Sequence, residues 1–138
     1  MDIIMAVDFG DARTGLAVSD SAGMMAHGAG CIEGMGFKKT AAAVAEAAKK
    51  REVSLIVVGN PINMNGTEGP RAELCREFAE KLKEATGLPV TMWDERRTTV
   101  EAHNILSQHN YHGQKRKNTV DAVAASLILE GYLAFRKR

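Results

Sequence analysis

The chain has 138 residues, 45% hydrophobic and 25% charged, a globular balance that excludes a disordered chain and is enough for a core without disulfide staples. A net charge of +1 excludes a molecule that is cationic as a whole. No apolar run reaches membrane-spanning length and no charged leader precedes an apolar segment, so a single soluble domain over residues 1–138 is expected, cytoplasmic and with no membrane partner.

Residues 3–9 and 14–20 are apolar runs joined through Gly10 and Gly15, and they are expected to pair as a hairpin. A third, edge-like strand is expected within 29–34. The alanine-rich stretch 38–52 predicts a helix. "SLIVVGNP" (54–61) is short and apolar throughout, as in a strand covered on both faces, and Gly59 and Pro61 end it. A turn-rich loop then leads to Pro70, a good first-turn residue for a helix through about Ala85. Leu74, Phe78 and Leu82 recur along that helix and, with Cys75, Ala79 and Ala85, mark one buried face. Gly87 and Pro89 form its exit. "LPVTMW" (88–93) is the next strand and runs straight into "DERRTT". A short helix over 99–108 and a mobile basic loop over 109–117 are expected to follow. Asn118 or Thr119 then caps a last helix, with Val120, Val123, Ala124, Leu127 and Ile128 toward the core.

This order predicts an α/β fold: a mixed five-stranded sheet flanked by helices, its first three strands antiparallel and its later strands parallel. Cys31 and Cys75 belong to no C-x-x-C pair and read as buried reduced thiols. Met24 and Met25 read as core filler. His103, His109 and His112 have neither cysteine partners nor an H-E-x-x-H pattern, so no zinc site is expected.

Asp8 ends the first strand, and Asp94 and Glu95 follow the last. The carboxyl ends of neighbouring strands form the ligand crevice of open α/β sheets, so these acids reach one edge. Asp121 has Ala124, Ala125 and Ile128 as its helical neighbours, small or apolar residues suited to close packing, and is expected to face the sheet. Carboxylates converging without cationic partners are usually held by divalent cations, and hard oxygen ligands suit magnesium or manganese. Each acid also has a plainer reading: Asp8 as a turn residue, Asp94 and Glu95 as a helix start, Asp121 as a charge favoured near a helix N-terminus. Only their joint placement carries the metal reading, and placement does not choose between Asp94 and Glu95.

"VDFGDARTGLAVSD", "VVGNPINMNGTEGP", "WDERRTTVEA" and "TVDAVAASLILEGY" resemble, in order and spacing, the motifs of the YqgF family of bacterial RNase H-like proteins. The likeness spans essentially the whole chain. It implies an RNase H-like fold and metal-dependent phosphodiester hydrolysis, with 5′-end processing of pre-16S rRNA in ribosome biogenesis as the role. Carried over by position, the family's acids fall on Asp8, on Glu95 with Asp94 beside it, and on Asp121. Two departures stand out. Resolvase relatives carry an acid at the end of the fourth strand, where this chain has Gly59–Asn60–Pro61, and Arg97 replaces an expected apolar residue.

The expected nuclease uses Asp8, Glu95 and Asp121 to bind one or two Mg²⁺ or Mn²⁺ ions. Arg13, Arg96, Lys115, Arg116 and Lys117 are expected to hold the nucleic-acid backbone. Structured precursor rRNA is the favoured partner and branched DNA, as for a Holliday-junction resolvase, the other; the protein itself is a monomer or homodimer. Two further readings compete. One is an RNA-binding ribosome-assembly factor that keeps the acids but cuts poorly. The other rests on "DFGDARTG", which resembles the first phosphate loop of sugar kinases and actin-like ATPases, but those proteins need a second lobe.

Overall fold

The computed structural model describes residues 3–10, 12–20, 25–34, 36–61, 65–95 and 113–136, with side chains in the last helix from Val123 onward. The strands are β1 (Ile3–Asp8), β2 (Arg13–Ser19), β3 (Ala26–Glu33), β4 (Val53–Asn60) and β5 (Val90–Asp94). The helices are α1 (Phe37–Lys50), α2 (Pro70–Thr86) and α3 (Gly113–Arg136). Sheet order is β3-β2-β1-β4-β5, with β1 antiparallel to β2, β2 antiparallel to β3, and β4 parallel to both β1 and β5. The expected mixed five-stranded sheet is therefore present, and the parallel strands β1, β4 and β5 end together at one edge.

Strand alternation divides the apolar residues between two cores. Met5, Val7 and Phe9 of β1 and the turn after it, Ile56 and Val58 of β4, and Met92 of β5 pack toward α1 and α2. Ile4, Ala6, Val57 and Trp93 pack toward Ala125, Ile128, Leu129 and Leu133 of α3. Having cores on both faces explains why β1 and β4 read as continuous apolar runs. On the first face Phe78 is fully buried, with Phe9 stacked on it at 4.1 Å and Phe37 edge-on at 5.6 Å. Pro70 opens α2, and Gly87 closes it in the left-handed conformation.

Several expectations are corrected. β3 starts at Ala26, because an edge strand is defined by its ladder with β2 (Ser19 opposite Ala26) rather than by apolar side chains. α3 starts at Gly113, so the basic loop expected over 109–117 is helical from 113 and the cap is not at Asn118 or Thr119. Glutamine, lysine and arginine are good helix formers, and polarity alone does not make a loop. The stripe of α3 buried against the sheet is Ala125, Ile128, Leu129 and Leu133, whereas Val123, Ala124 and Leu127 are half-buried. Ala85 is exposed. Met25 is 60% exposed and is not core filler. Neither cysteine is in a disulfide, but only Cys75 is buried. The helix expected over 99–108 lies outside the described residues. Among the described residues, no helix is long and apolar enough to cross a membrane.

Candidate active site

Pleat parity decides which strand-end residues share a face. Asp8 follows Val7 and so points to the α3 side of the sheet, with Ile4 and Ala6. Gly59 follows Val58, and Glu95 is two residues after Trp93, so both fall on that same side. Asp94 falls on the opposite face, directly across the ladder from Asn60. Of the two acids at the end of β5, Glu95 is the one that meets Asp8.

The two carboxyls are hydrogen-bonded to each other, and the environment favours a proton between them. Burial pushes the Glu95 carboxyl from its ordinary 4.5 up to about 7. The negative charge of Asp8 and the Asp8–Glu95 hydrogen bond act in the same direction, with a smaller push from Asp94, while the Arg71 guanidinium opposes them. Gly59 provides the space. A β-carbon at position 59 would lie 3.1 Å from both Cδ and Oε1 of Glu95, and 2.7 Å from Cδ1 of Ile128. The Glu95 carboxyl therefore stands over the end of β4.

A second glycine shapes the turn beside Asp8. A β-carbon on Gly10 would lie 2.3 Å from the Arg13 carbonyl oxygen, so only glycine allows the chain to fold back this tightly. Arg13 consequently starts β2 at the same edge where β1 ends, and it is half-buried there.

Position 121 lies on α3 one turn before Ala125 and two turns before Ile128, both of which are buried against the sheet. Its backbone is on the sheet-facing stripe, and its side chain is outside the described set. Lys115, Arg116 and Lys117 occupy the first turns of α3 with side chains likewise outside that set, and Arg96 and Arg97 are outside it altogether.

Two residues of the site were missed by the motif reading. One is Gly59 as a space-maker. The other is Arg71, in the first turn of α2, whose Nη2 donates to the Phe9 carbonyl and whose guanidinium carbon lies 5.3 Å from the centroid of the Phe9 ring. The "TEGPRA" segment held the signal, since a helix opening at Pro70 after β4 starts beside the strand ends. Nearby, Asn60 Nδ2 donates to Glu68 Oε1 at 3.1 Å and Glu68 pairs with Arg76, which ties the loop after β4 to α2.

Among the described residues, no three His, Cys, Asp or Glu side chains are grouped so as to hold a metal ion. The described pair nevertheless fits a divalent cation chemically. Both donors are hard carboxylate oxygens, and burial together with the like charge of Asp8 disfavours the ionised form of Glu95. A bound cation relieves the like-charge repulsion.

A family model described as RuvX, Holliday junction resolvase, matches residues 2–135. Two relatives named "Putative pre-16S rRNA nuclease" are each 44% identical to this chain. The one from Halothermothrix orenii aligns over 98% of this chain and 96% of its own length, and that from Clostridioides difficile over 96% and 94%. Among solved structures, T. thermophilus RuvC in complex with Holliday junction substrate superposes with a TM-score of 0.63 at 13% identity, covering 99% of this chain and 97% of that one. The fowlpox virus resolvase bound to Holliday junction DNA gives 0.58 at 13% identity, covering 99% of both chains. These likenesses show the fold, which is the RNase H-like one expected from the motifs.

Proposed function

The chain belongs to the RuvX (YqgF) family, and from that premise we propose that it is a divalent-metal-dependent endonuclease that hydrolyses phosphodiester bonds at the 5′ end of precursor 16S rRNA in the cytoplasm. The observation that carries this reading is the contact between the carboxyls of Asp8 and Glu95 at the ends of β1 and β5, in a family whose curated members bear a nuclease name. The carboxylate oxygens of Asp8 and Glu95 would hold one or two Mg²⁺ or Mn²⁺ ions, with Asp121 of α3 as the third donor. When bound, such ions supply Lewis-acid stabilisation of charge on the phosphoryl oxygens. Gly59 keeps the space in which the Glu95 carboxyl stands. Arg13 at the strand-end edge, with Arg96, Lys115, Arg116 and Lys117, binds the nucleic-acid backbone, which makes affinity salt-dependent and largely independent of sequence.

The alternative of a non-cleaving assembly factor draws on the missing fourth-strand acid. The position of Glu95 over Gly59 favours the nuclease instead, because a carboxyl stands at that strand end after all. The test is Mn²⁺-dependent cleavage of a 16S precursor fragment, beside a four-way DNA junction, by wild type and Asp8→Asn. RNA cleavage that is lost in the mutant is the expected result. Preferential cutting of the junction assigns the enzyme to DNA, and cleavage of neither substrate, with RNA binding intact, favours the assembly factor.

A further inference from the structure

Arg71 is a cation that the fold builds into the strand-end edge beside Phe9. Its anchor is unusually well defined, since Nη2 donates to the carbonyl of Phe9, the residue directly after Asp8, and the guanidinium lies against the ring of that same residue. The Phe9 ring is itself immobilised: it stacks on Phe78 with centroids 4.1 Å apart and meets the edge of Phe37 at 6.0 Å. A positive charge on a fixed aromatic platform gains from the ring quadrupole and loses little rotational freedom on meeting a ligand. A planar guanidinium presents its N–H donors in a fork whose geometry suits phosphate oxygens.

The charge balance of the edge gives this cation a task. Asp8, Asp94 and Glu95 gather there, so a polyanionic strand approaching the carboxyls meets a repulsive field. The Arg71 charge reaches that cluster, since it acts on Glu95 against the push of the two aspartates. We infer that Arg71 is a phosphate-binding residue of the site: clamped on Phe9, its guanidinium receives a backbone phosphodiester of the strand lying across Asp8 and Glu95. This inference rests on the nucleic-acid reading above and adds to it the residue that holds the strand.

The full-length protein, as wild type, Arg71→Gln and Arg71→Lys, is titrated into a labelled 16S precursor RNA fragment and into a four-way DNA junction, in EDTA, across a KCl series. Thermal melts establish folding. For Arg71→Gln we expect about 5- to 10-fold weaker binding and a log–log salt slope less steep by about 0.7 to 0.9, the signature of one lost phosphate contact. A purely structural arginine, or one serving only as counter-ion to Glu95, leaves that slope unchanged. Should Arg71→Gln fail to fold, Arg71→Lys decides. An ammonium lacks the fork that serves the Phe9 carbonyl and a phosphate together, so a loss of about threefold or more in affinity supports the inference, and wild-type affinity overturns it. A folded Arg71→Gln with the wild-type slope on both ligands also overturns it while leaving the nuclease reading standing. Wild type that binds neither ligand overturns both. A change on RNA alone, on the junction alone or on both supports the contact and identifies the strand it serves.

Discussion

The Glu95 carboxyl occupies the space that a side chain on Gly59 would fill, with Cδ and Oε1 each 3.1 Å from the position of a β-carbon there. An acid supplied from β5 and a glycine at the end of β4 are thus two halves of one arrangement. A larger residue at 59 would have to displace the carboxyl or the Ile128 methyl at 2.7 Å.

Gly59→Ala is therefore expected to reduce cleavage far more than stability. Overpacking at one methyl costs about 1–3 kcal/mol, whereas shifting a site carboxyl costs activity on the order of 100-fold. Thermal melts beside cleavage rates check this, and a variant with wild-type cleavage would show that Glu95 is not needed where it stands.

The stability of the metal-free protein should fall as pH rises from about 4.5 to about 7. Folded Glu95 titrates near 7 against an ordinary 4.5, so in that window the native state binds more protons than the unfolded chain, and raising pH favours unfolding. The full effect is on the order of 1–3 kcal/mol, absent below the window and complete above it. Urea unfolding in EDTA across this range measures it, and Glu95→Gln should flatten the curve. A Gln variant that keeps the wild-type slope would assign the titration to another group.

Burial is the largest cause of the raised Glu95 value and remains in Asp8→Asn. The substitution removes the like charge and leaves only a neutral amide acceptor, so the Glu95 carboxyl should move part of the way back down and the same stability curve should become shallower. Cleavage should drop by at least about 100-fold, with RNA affinity within about twofold of wild type. Equal loss of binding and cleavage would instead point to misfolding of the β1–β2 turn.

Phe78→Ala should destabilise the fold by about 3–5 kcal/mol, because Phe78 is fully buried and both Phe9 and Phe37 pack on its ring. Phe78→Leu should retain the fold yet loosen the platform under Arg71, so its RNA affinity should fall by a few-fold while melting changes modestly. Denaturation and binding curves on the two variants separate these effects.

Among the described residues, the sequence by itself determined which elements form and that they make a mixed five-stranded sheet. Period-two and continuous apolar runs, Pro70 before α2 and Gly87 after it are local signals, read out by backbone geometry within a few residues. The placing of Asp8 and the two acids after Trp93 at strand ends follows from the same signals. The tertiary structure decided the rest. Asp8 meets Glu95 rather than Asp94 because the ladder sets Gly59 opposite Trp93, and a register shift of one residue would reverse the faces. Arg71 reaches the Phe9 carbonyl across 62 residues of chain, a relation with no local periodicity to announce it. The start of α3 at Gly113 was hidden because polar residues of good helix propensity carry no apolar stripe. Gly59 read as a strand terminator, and only the packing of Glu95 and Ile128 over it shows that the missing side chain is where the carboxyl stands. Local conformation is written in neighbouring residues, whereas register, cavity shape and charge contact arise when distant segments compete for the same space.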